Sequence, residues 1–166
     1  MALFYSDSLA CRNCHSGFNF DTPLLKDSTG KTQYYFNTGL YNINNSNQYP
    51  DYDRGLFEIT GNKKDEGVYR VPTLRNLAFT APYYHDGSAL TLEEVILNYE
   101  SGGRNVTTGL YKGEGNTNIY KNTLIHGFSL TSQQRKDLIN FLLALTDSSV
   151  LKNKNYANPF KNDETR

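Results

Sequence analysis

The tightest constraint on this chain is the segment Cys11-Arg12-Asn13-Cys14-His15, which has the CxxCH spacing of a c-type haem attachment site. Two thiols separated by two residues lie about one helical turn apart, so both can reach the vinyl groups along one porphyrin edge. The adjacent His15 can then bind the iron. The motif therefore predicts one haem c per chain, held by Cys11, Cys14 and His15.

Other interpretations of the two cysteines stay open at this point. A thioredoxin-like redox motif requires a βαβ context, and the sequence has no alternation of strands and helices. A structural zinc site requires two more ligands, and only His85 and His126 remain, far apart in the sequence. A chance CxxC would not need the histidine that follows Cys14. A non-haem zinc or redox binding module is therefore a less favoured hypothesis.

The composition suits a small domain built around a cofactor. A chain of 166 residues fits one domain, but only 37% of them are hydrophobic. The formal net charge is zero, which argues against nucleic acid or an anionic membrane surface as a partner. No apolar run reaches the roughly 20 residues of a membrane span. The first ten residues lack the basic region of a signal peptide, so we expect any export signal to lie upstream.

Hydrophobic periodicity predicts three helices. The first runs from Leu3 to His15, carries the CxxCH at its C-terminal end and stops at Gly17. In the second, Thr91 and Glu94 form a capping box. Its apolar face has the spacing i, i+3, i+4 and i+7 and consists of Leu92, Val95, Ile96 and Tyr99.

The third predicted helix follows a capping box formed by Thr131 and Gln134. Its buried stripe consists of Leu138, Phe141, Leu142 and Leu145. Long polar segments at 41–55, 61–67 and 101–118 read as loops, which a haem could support as part of the core. The sequence therefore predicts an all-α, cytochrome c-like haem domain over residues 1–147, with few helices and long irregular loops, followed by a polar tail at 148–166.

The segment YRVPTLRNLAFTAPYYHDGSALTLEEVILNYESGGR, from Tyr69 to Arg104, resembles the signature of bacterial di-haem cytochrome c peroxidases and their MauG-type relatives. Residues 3–20, which contain the CxxCH, resemble the entry to the second haem domain of that family. Residues 120–147 are similar to the closing helix of the branch associated with methanobactin-type gene clusters. The resemblance covers most of residues 1–147.

In that family two haem domains form one periplasmic oxidoreductase. The resemblance implies that this chain, with its single CxxCH, is the C-terminal, electron-relay half, which is not competent alone. Its partners would be the N-terminal haem domain and a protein or cytochrome that is oxidised at the expense of hydrogen peroxide. The absence of tryptophan agrees, because the bridging tryptophan of MauG-type enzymes comes from the other half. The alternative is a stand-alone monohaem cytochrome c electron carrier, although carriers need neither the long loops nor the PYYHDGS turn.

The resemblance also indicates the second iron ligand. Relay haems of the peroxidase branch use a methionine on the helix after the PYFHDG-like turn, but Met1 is the only methionine here. The ligand position falls at Tyr99, where MauG-type enzymes have tyrosine, so His15 and Tyr99 are the expected iron ligands. A tyrosine on an apolar helical face can also be a core residue whose hydroxyl is bonded nearby, and that alternative stays open.

Several other residues have roles implied by the resemblance. His85, in the PYYHDGS turn, would lie at the haem edge and bond a propionate, and it is the next candidate for the iron. Arg75 would pair with a propionate or, equally, hold loop carbonyls in place. The backbone carbonyls of Arg70 and Pro72 would bind calcium at the interface with the other half, which would supply the side-chain ligand. His126 is expected to be exposed.

Overall fold

Four α-helices and two small antiparallel sheets form the regular structure of residues 1–156, the part of the chain that the computed structural model describes. The helices are α1 (Cys11–Cys14), α2 (Phe57–Thr60), α3 (Leu92–Glu100) and α4 (Ser132–Leu143). The strands are β1 (Tyr35–Phe36), β2 (Tyr69–Arg70), β3 (Asn105–Val106) and β4 (Gly113–Glu114). Short 3-10 turns occur at Lys63–Asp65, Leu77–Phe79, Gly115–Thr117, Ser148–Leu151 and Lys154–Tyr156.

The all-α prediction is wrong because four short segments pair their backbones in two small antiparallel sheets. β1 lies antiparallel to β2, with Tyr35 opposite Arg70, and β3 lies antiparallel to β4, with Asn105 opposite Glu114. Backbone N–H and C=O groups that leave water need partners, and these segments find them in each other. Strands of two residues are too short to show an alternating pattern in the sequence.

The predicted helix from Leu3 to His15 is also wrong, since only Cys11–Cys14 is α-helical. Ala10 adopts the left-handed conformation, with φ of 56°, and this interrupts the helix before the CxxCH. The preceding residues form turns, in which the Ser6 hydroxyl donates to the Leu3 carbonyl at 2.7 Å. Phe4 and Leu9 are nevertheless buried, so the turns still anchor the motif to the core.

The other two predicted helices and both capping boxes are confirmed. The Thr91 hydroxyl accepts a hydrogen bond from the Glu94 amide at 3.2 Å, and the Glu94 carboxylate accepts one from the Thr91 amide at 3.0 Å. Thr131 and Gln134 form the same pair of bonds before α4. α3 and α4 contribute half of the larger core, which consists of Phe4, Leu9, Leu92, Ile96, Leu130, Leu138, Leu142 and Leu145.

Buried asparagines hold the long loops together. The Asn37 side chain donates to the Glu66 carbonyl at 2.7 Å and accepts from the Gly39 amide and the Tyr49 hydroxyl. Asn42 and Asn118 make similar bonds between loops that are distant in the sequence. These side chains supply the partners that a helix or sheet would otherwise give to buried backbone groups.

The loops enclose a second core, here called the tyrosine cluster. Its buried members are Leu40, Tyr41 and Tyr49, against which Ile43, Tyr69, Tyr84 and Tyr111 pack. Gly67, with φ of 67°, lies against Tyr49, and a Cβ at this position would overlap the Tyr49 ring. Glycine at position 67 therefore permits both the turn and the close approach of the ring.

The expected polar tail begins with two 3-10 turns, and residues 157–166 lie outside the described part of the chain. The boundary at residue 147 remains a prediction. No helix within residues 1–156 is long and apolar enough to cross a membrane.

Candidate haem-binding site

A cavity of about 530 Å³ lies between α1, α3 and α4. This volume is within the roughly 300–1,000 Å³ typical of ligand sites. α1 and the residue after it contribute Cys11, Cys14 and His15 to the wall, and α3 contributes Val95, Ile96 and Tyr99. The structure therefore brings the CxxCH and the predicted second ligand to one mainly apolar space.

His15 is oriented by the loop that follows it. Its Nδ1 atom lies 2.9 Å from the Phe20 carbonyl oxygen. Because a carbonyl can only accept, Nδ1 carries the proton in this bond and Nε2 keeps its lone pair for a metal. Burial lowers the pKa of His15, and the carbonyls of Phe20 and Pro72 oppose this effect. A neutral imidazole with one free nitrogen is the form that binds iron.

Arg75 and Thr73 fasten this loop. The Arg75 guanidinium donates to the Phe18 carbonyl from Nε at 3.0 Å and from Nη2 at 2.8 Å, and it lies over the Phe18 and Phe20 rings. The Thr73 hydroxyl donates to the Asn19 carbonyl at 2.6 Å. Arg75 thus makes the loop-carbonyl contacts that the sequence left open, and it also lines the cavity. Its pairing with a propionate stays a prediction.

The two thiols have the environment of protected rather than reactive cysteines. Both are partly buried, and burial raises the pKa of Cys11 and of Cys14 to about 11. Redox-active CxxC motifs instead have thiols whose pKa is lowered, so that the thiolate can react. The arrangement argues against a thiol–disulfide site.

Tyr99 continues the cavity face of α3. Burial raises its pKa, and the charges of Tyr84, Cys14 and Cys11 raise it further. The hydroxyls of Tyr83 and Tyr84 donate to backbone carbonyls, at 3.0 and 3.4 Å. Within residues 1–156, by contrast, no protein group hydrogen-bonds the Tyr99 hydroxyl. Tyr99 is partly buried and lines the cavity, so its hydroxyl is available to a group there.

His85 also lines the cavity, but its Nδ1 atom is engaged. That nitrogen lies 2.7 Å from the Asp53 carboxylate, and the imidazole stacks on the Tyr69 ring with centroids 3.6 Å apart. The Tyr69 hydroxyl donates to the same carboxylate at 2.7 Å. The position of His85 relative to a propionate is still a prediction.

Of the remaining predicted residues, Arg70 and Pro72 line the cavity and His126 does not. Arg70 is exposed, with its guanidinium 5.7 Å from the Tyr34 ring centroid. The Pro72 carbonyl acts on His15, as described above. Within residues 1–156 there is no cluster of three or more His, Cys, Asp or Glu side chains that could hold a metal ion, so calcium binding through Arg70 and Pro72 stays a prediction. His126 is exposed, as expected.

Sequence reasoning missed the polar contacts that the loops make with the cavity residue His85 and with the tyrosine cluster. Asp53 lies within a segment that the sequence marked only as a loop. Asp86 accepts a hydrogen bond from the Tyr41 hydroxyl at 2.6 Å and lies 3.7 Å from Arg104. Nothing local in the sequence pairs residues 41 and 86. The one available signal was the run of acidic and aromatic residues around Tyr52, which is unusual for a purely solvated loop.

Comparison with known proteins gives three informative likenesses. A cytochrome-c peroxidase of Pseudomonas sp. strain SCT is 32% identical over 174 residues, covering 91% of this chain and 40% of that protein. The methylamine utilization protein MauG of Methylorubrum extorquens is 25% identical over 141 residues, covering 85% of this chain and 32% of MauG. The crystal structure of a MauG-like protein associated with microbial copper homeostasis has a TM-score of 0.87 and 40% identity, covering 96% of this chain and 46% of that one. No family model matches the chain.

These likenesses and the CxxCH at an apolar cavity define a domain of the c-type cytochrome class. The CxxCH lines the cavity, and the solved structure has the same fold over nearly the whole chain. The chain belongs to the family of bacterial di-haem cytochrome c peroxidases and MauG-like proteins. It spans less than half the length of each of the three relatives described above.

Proposed function

We propose that this chain is the C-terminal, electron-relay haem domain of a periplasmic di-haem oxidoreductase of the peroxidase and MauG type. The whole protein would use hydrogen peroxide to oxidise a protein or cytochrome partner, and the chain would not be competent alone. The coverage of the relatives supports this assignment, because the chain spans 40% and 46% of two of them and leaves enough length in each for a second haem domain. An interdomain calcium ion at Arg70 and Pro72 is part of the same proposal.

The residues at the cavity fit a haem c. The two thiols, the imidazole and the phenol form a donor set around a space with largely apolar walls. Cys11 and Cys14 would each add across a vinyl group, forming a thioether while the thiol proton moves to the neighbouring carbon. When bound, the haem supplies an iron that exchanges single electrons. The chain itself fixes the His15 tautomer and excludes water.

The observation that carries the proposal is the Tyr99 hydroxyl, which has no hydrogen-bond partner among residues 1–156 and lies in the same cavity as the CxxCH. A phenolate ligand favours ferric and higher states, whereas a thioether favours ferrous iron. Because burial keeps the free phenol protonated, ligation requires the metal charge to displace its proton. His15 and Tyr99 together suit a domain that stores an oxidising equivalent better than one that donates electrons.

Covalent attachment is tested with protein matured by a cytochrome c maturation system. We expect the haem of the wild type to resist extraction by acidified acetone, and Cys14→Ala to shift the pyridine haemochrome band as one thioether is lost. Ser16→Ala is the matched control, since Ser16 is close in sequence but is not part of the cavity wall. Haem that extracts freely from the matured wild type would contradict the proposal.

A further inference from the structure

Four tyrosines form a continuous row from the cavity wall to the surface. Tyr49 lines the cavity and is 1% exposed, and Tyr41 is 6% exposed. Tyr111 is partly buried, and Tyr52, at the end of the row, is 73% exposed. The first three belong to the tyrosine cluster, so the row passes through a packed part of the molecule.

Each link in this row is a direct contact. The ring centroids of Tyr49 and Tyr41 are 5.5 Å apart, and those of Tyr41 and Tyr111 are 5.6 Å apart, both in edge-to-face geometry. The hydroxyl oxygens of Tyr111 and Tyr52 are 2.9 Å apart, within hydrogen-bond distance. No step therefore has to cross an aliphatic side chain or solvent.

The middle of the row carries a proton acceptor. A phenol that loses an electron becomes strongly acidic, so its oxidation is easy only where a base can take the proton. The Tyr41 hydroxyl donates to the Asp86 carboxylate at 2.6 Å. Arg104 lies 3.7 Å from the same carboxylate, and its guanidinium covers the Tyr41 ring at 4.1 Å. Asp86 is thus held, as a carboxylate, at the hydroxyl of the central tyrosine.

We propose that Tyr49, Tyr41, Tyr111 and Tyr52 relay single electrons from a reducing partner at the surface to the cavity. The inference rests on the proposed function, which supplies the oxidant: hydrogen peroxide takes up two electrons and two protons and becomes two molecules of water. Each electron leaves Tyr41 while its phenolic proton moves to Asp86, and the proton returns when an electron arrives from Tyr111. Tyr49 donates to the Asn37 side-chain oxygen, which takes up no proton, so Tyr49 mediates the transfer to the cavity without being deprotonated. Tyr111 and Tyr52 exchange their phenolic protons with each other and with water at the surface. The oxidised Tyr52 is then reduced by one electron from a one-electron donor protein.

The outer end of the row is suited to contact with such a partner. Tyr52 is among the most exposed aromatic side chains of residues 1–156, and Leu110, next to Tyr111 in the chain, is 80% exposed. A donor that docks here lies within direct reach of the outermost phenol. The relay therefore assigns the Tyr52 surface as the place where substrate electrons enter.

The test locates protein radicals in the haem-loaded chain. All variants carry Tyr99→Phe, which removes the proposed ligand and opens the iron to hydrogen peroxide. A nitroso spin trap then labels the protein radicals, and peptide mass spectrometry identifies the labelled residues. Tyr156, which is 70% exposed, measures direct oxidation from solution because its exposure matches that of Tyr52. The readout is the ratio of Tyr52 to Tyr156 adducts, and haem absorbance is followed in parallel.

We expect the ratio of Tyr52 to Tyr156 adducts to exceed one. It should fall by about tenfold when Tyr41 or Tyr111 is replaced by phenylalanine, which corresponds to an electron-transfer barrier raised by ~1.4 kcal/mol. Asp86→Asn, which keeps a hydrogen-bonding group but accepts no proton, should also lower this ratio. Tyr35→Phe, off the row and 45% exposed, should leave it unchanged. If peroxide alters the haem spectrum but the ratio of Tyr52 to Tyr156 adducts is unchanged in Tyr41→Phe and Tyr111→Phe, the relay alone is overturned. A haem spectrum that does not respond to peroxide would instead overturn the premise, taken from the proposed function, that peroxide at this haem supplies the oxidant, and the relay with it.

Discussion

At the scale of single residues, the site depends on contacts that hold the imidazole in one tautomer. His15 donates to the Phe20 carbonyl, and that carbonyl is fixed because Arg75 and Thr73 bind the two residues before it. The CxxCH spacing predicted the attachment residues, since the chemistry of two thioethers and one axial ligand dictates it. The orienting contacts could not be predicted, because they join residues more than 50 positions apart.

Replacing Arg75 should therefore loosen the loop that orients His15. Arg75→Ala removes two charge-assisted hydrogen bonds and the stacking on Phe18, so we expect the free energy of unfolding to fall by about 1.5–3 kcal/mol. Arg70→Ala is the matched control, because Arg70 is an exposed arginine with one distant aromatic contact. Urea unfolding of the haem-loaded chain measures both variants. Equal losses would contradict the role assigned to Arg75.

At the scale of elements, local sequence signals predicted α3 and α4 but not the rest. Both helices begin at capping boxes and have long apolar faces, so their bounds follow from bonds within a few residues. The helix expected from Leu3 is interrupted at Ala10, which has a left-handed conformation. Alanine does not favour this conformation locally, so the sequence around it gave no sign of the interruption. The two sheets were not predicted because each strand is only two residues long, and β1 also pairs with a segment more than 30 residues away.

The ion pair between α3 and α4 should make their packing pH-dependent. Arg135 binds the Glu100 carboxylate at 2.7 Å and lowers its pKa below the ordinary value of about 4.3. A carboxyl with a lowered pKa in the folded state stabilises the protein above the unfolded pKa, and this contribution disappears as the pH falls through the folded pKa. We expect Glu100→Gln to be less stable than the wild type at pH 7, with the difference closing as the pH falls below about 4.

Thermal unfolding of the haem-loaded chain across this pH range measures the difference. Glu93→Gln serves as the control, since Glu93 is an exposed glutamate in the first turn of the same helix. A difference between Glu100→Gln and the wild type that stays constant with pH would contradict the role of the pair.

At the scale of the whole molecule, the stability of the folded chain depends on what fills the cavity. At ~24 cal/mol per Å³, an apolar cavity of this size would cost on the order of 10 kcal/mol if it stayed empty, which is comparable to the total stability of a domain. The lean composition agrees with this, because much of the apolar surface of α3 and α4 faces the cavity. The sequence predicted this dependence on a cofactor, although it could not predict the shape of the cavity.

Haem removal should therefore abolish cooperative unfolding. We expect the Cys11→Ala/Cys14→Ala chain, purified without haem, to lose near-ultraviolet circular dichroism while retaining part of its far-ultraviolet signal. Differential scanning calorimetry should give one sharp transition for the haem-loaded wild type only. A haem-free chain that unfolds as sharply, and at the same temperature, would show that the protein core is sufficient without a cofactor.

The most direct test of the account is the ferric absorption spectrum of Tyr99→Phe, since this change removes one oxygen and keeps the ring. Tyr83→Phe is the matched control, because Tyr83 lines the same cavity and its hydroxyl donates to the Leu77 carbonyl. We predict that the haem-loaded wild type and Tyr83→Phe are six-coordinate with a phenolate-to-iron charge-transfer band. Tyr99→Phe should lose this band, and Tyr99→Met should raise the reduction potential. An unchanged spectrum and potential in Tyr99→Phe would contradict the account and transfer the ligand assignment to His85.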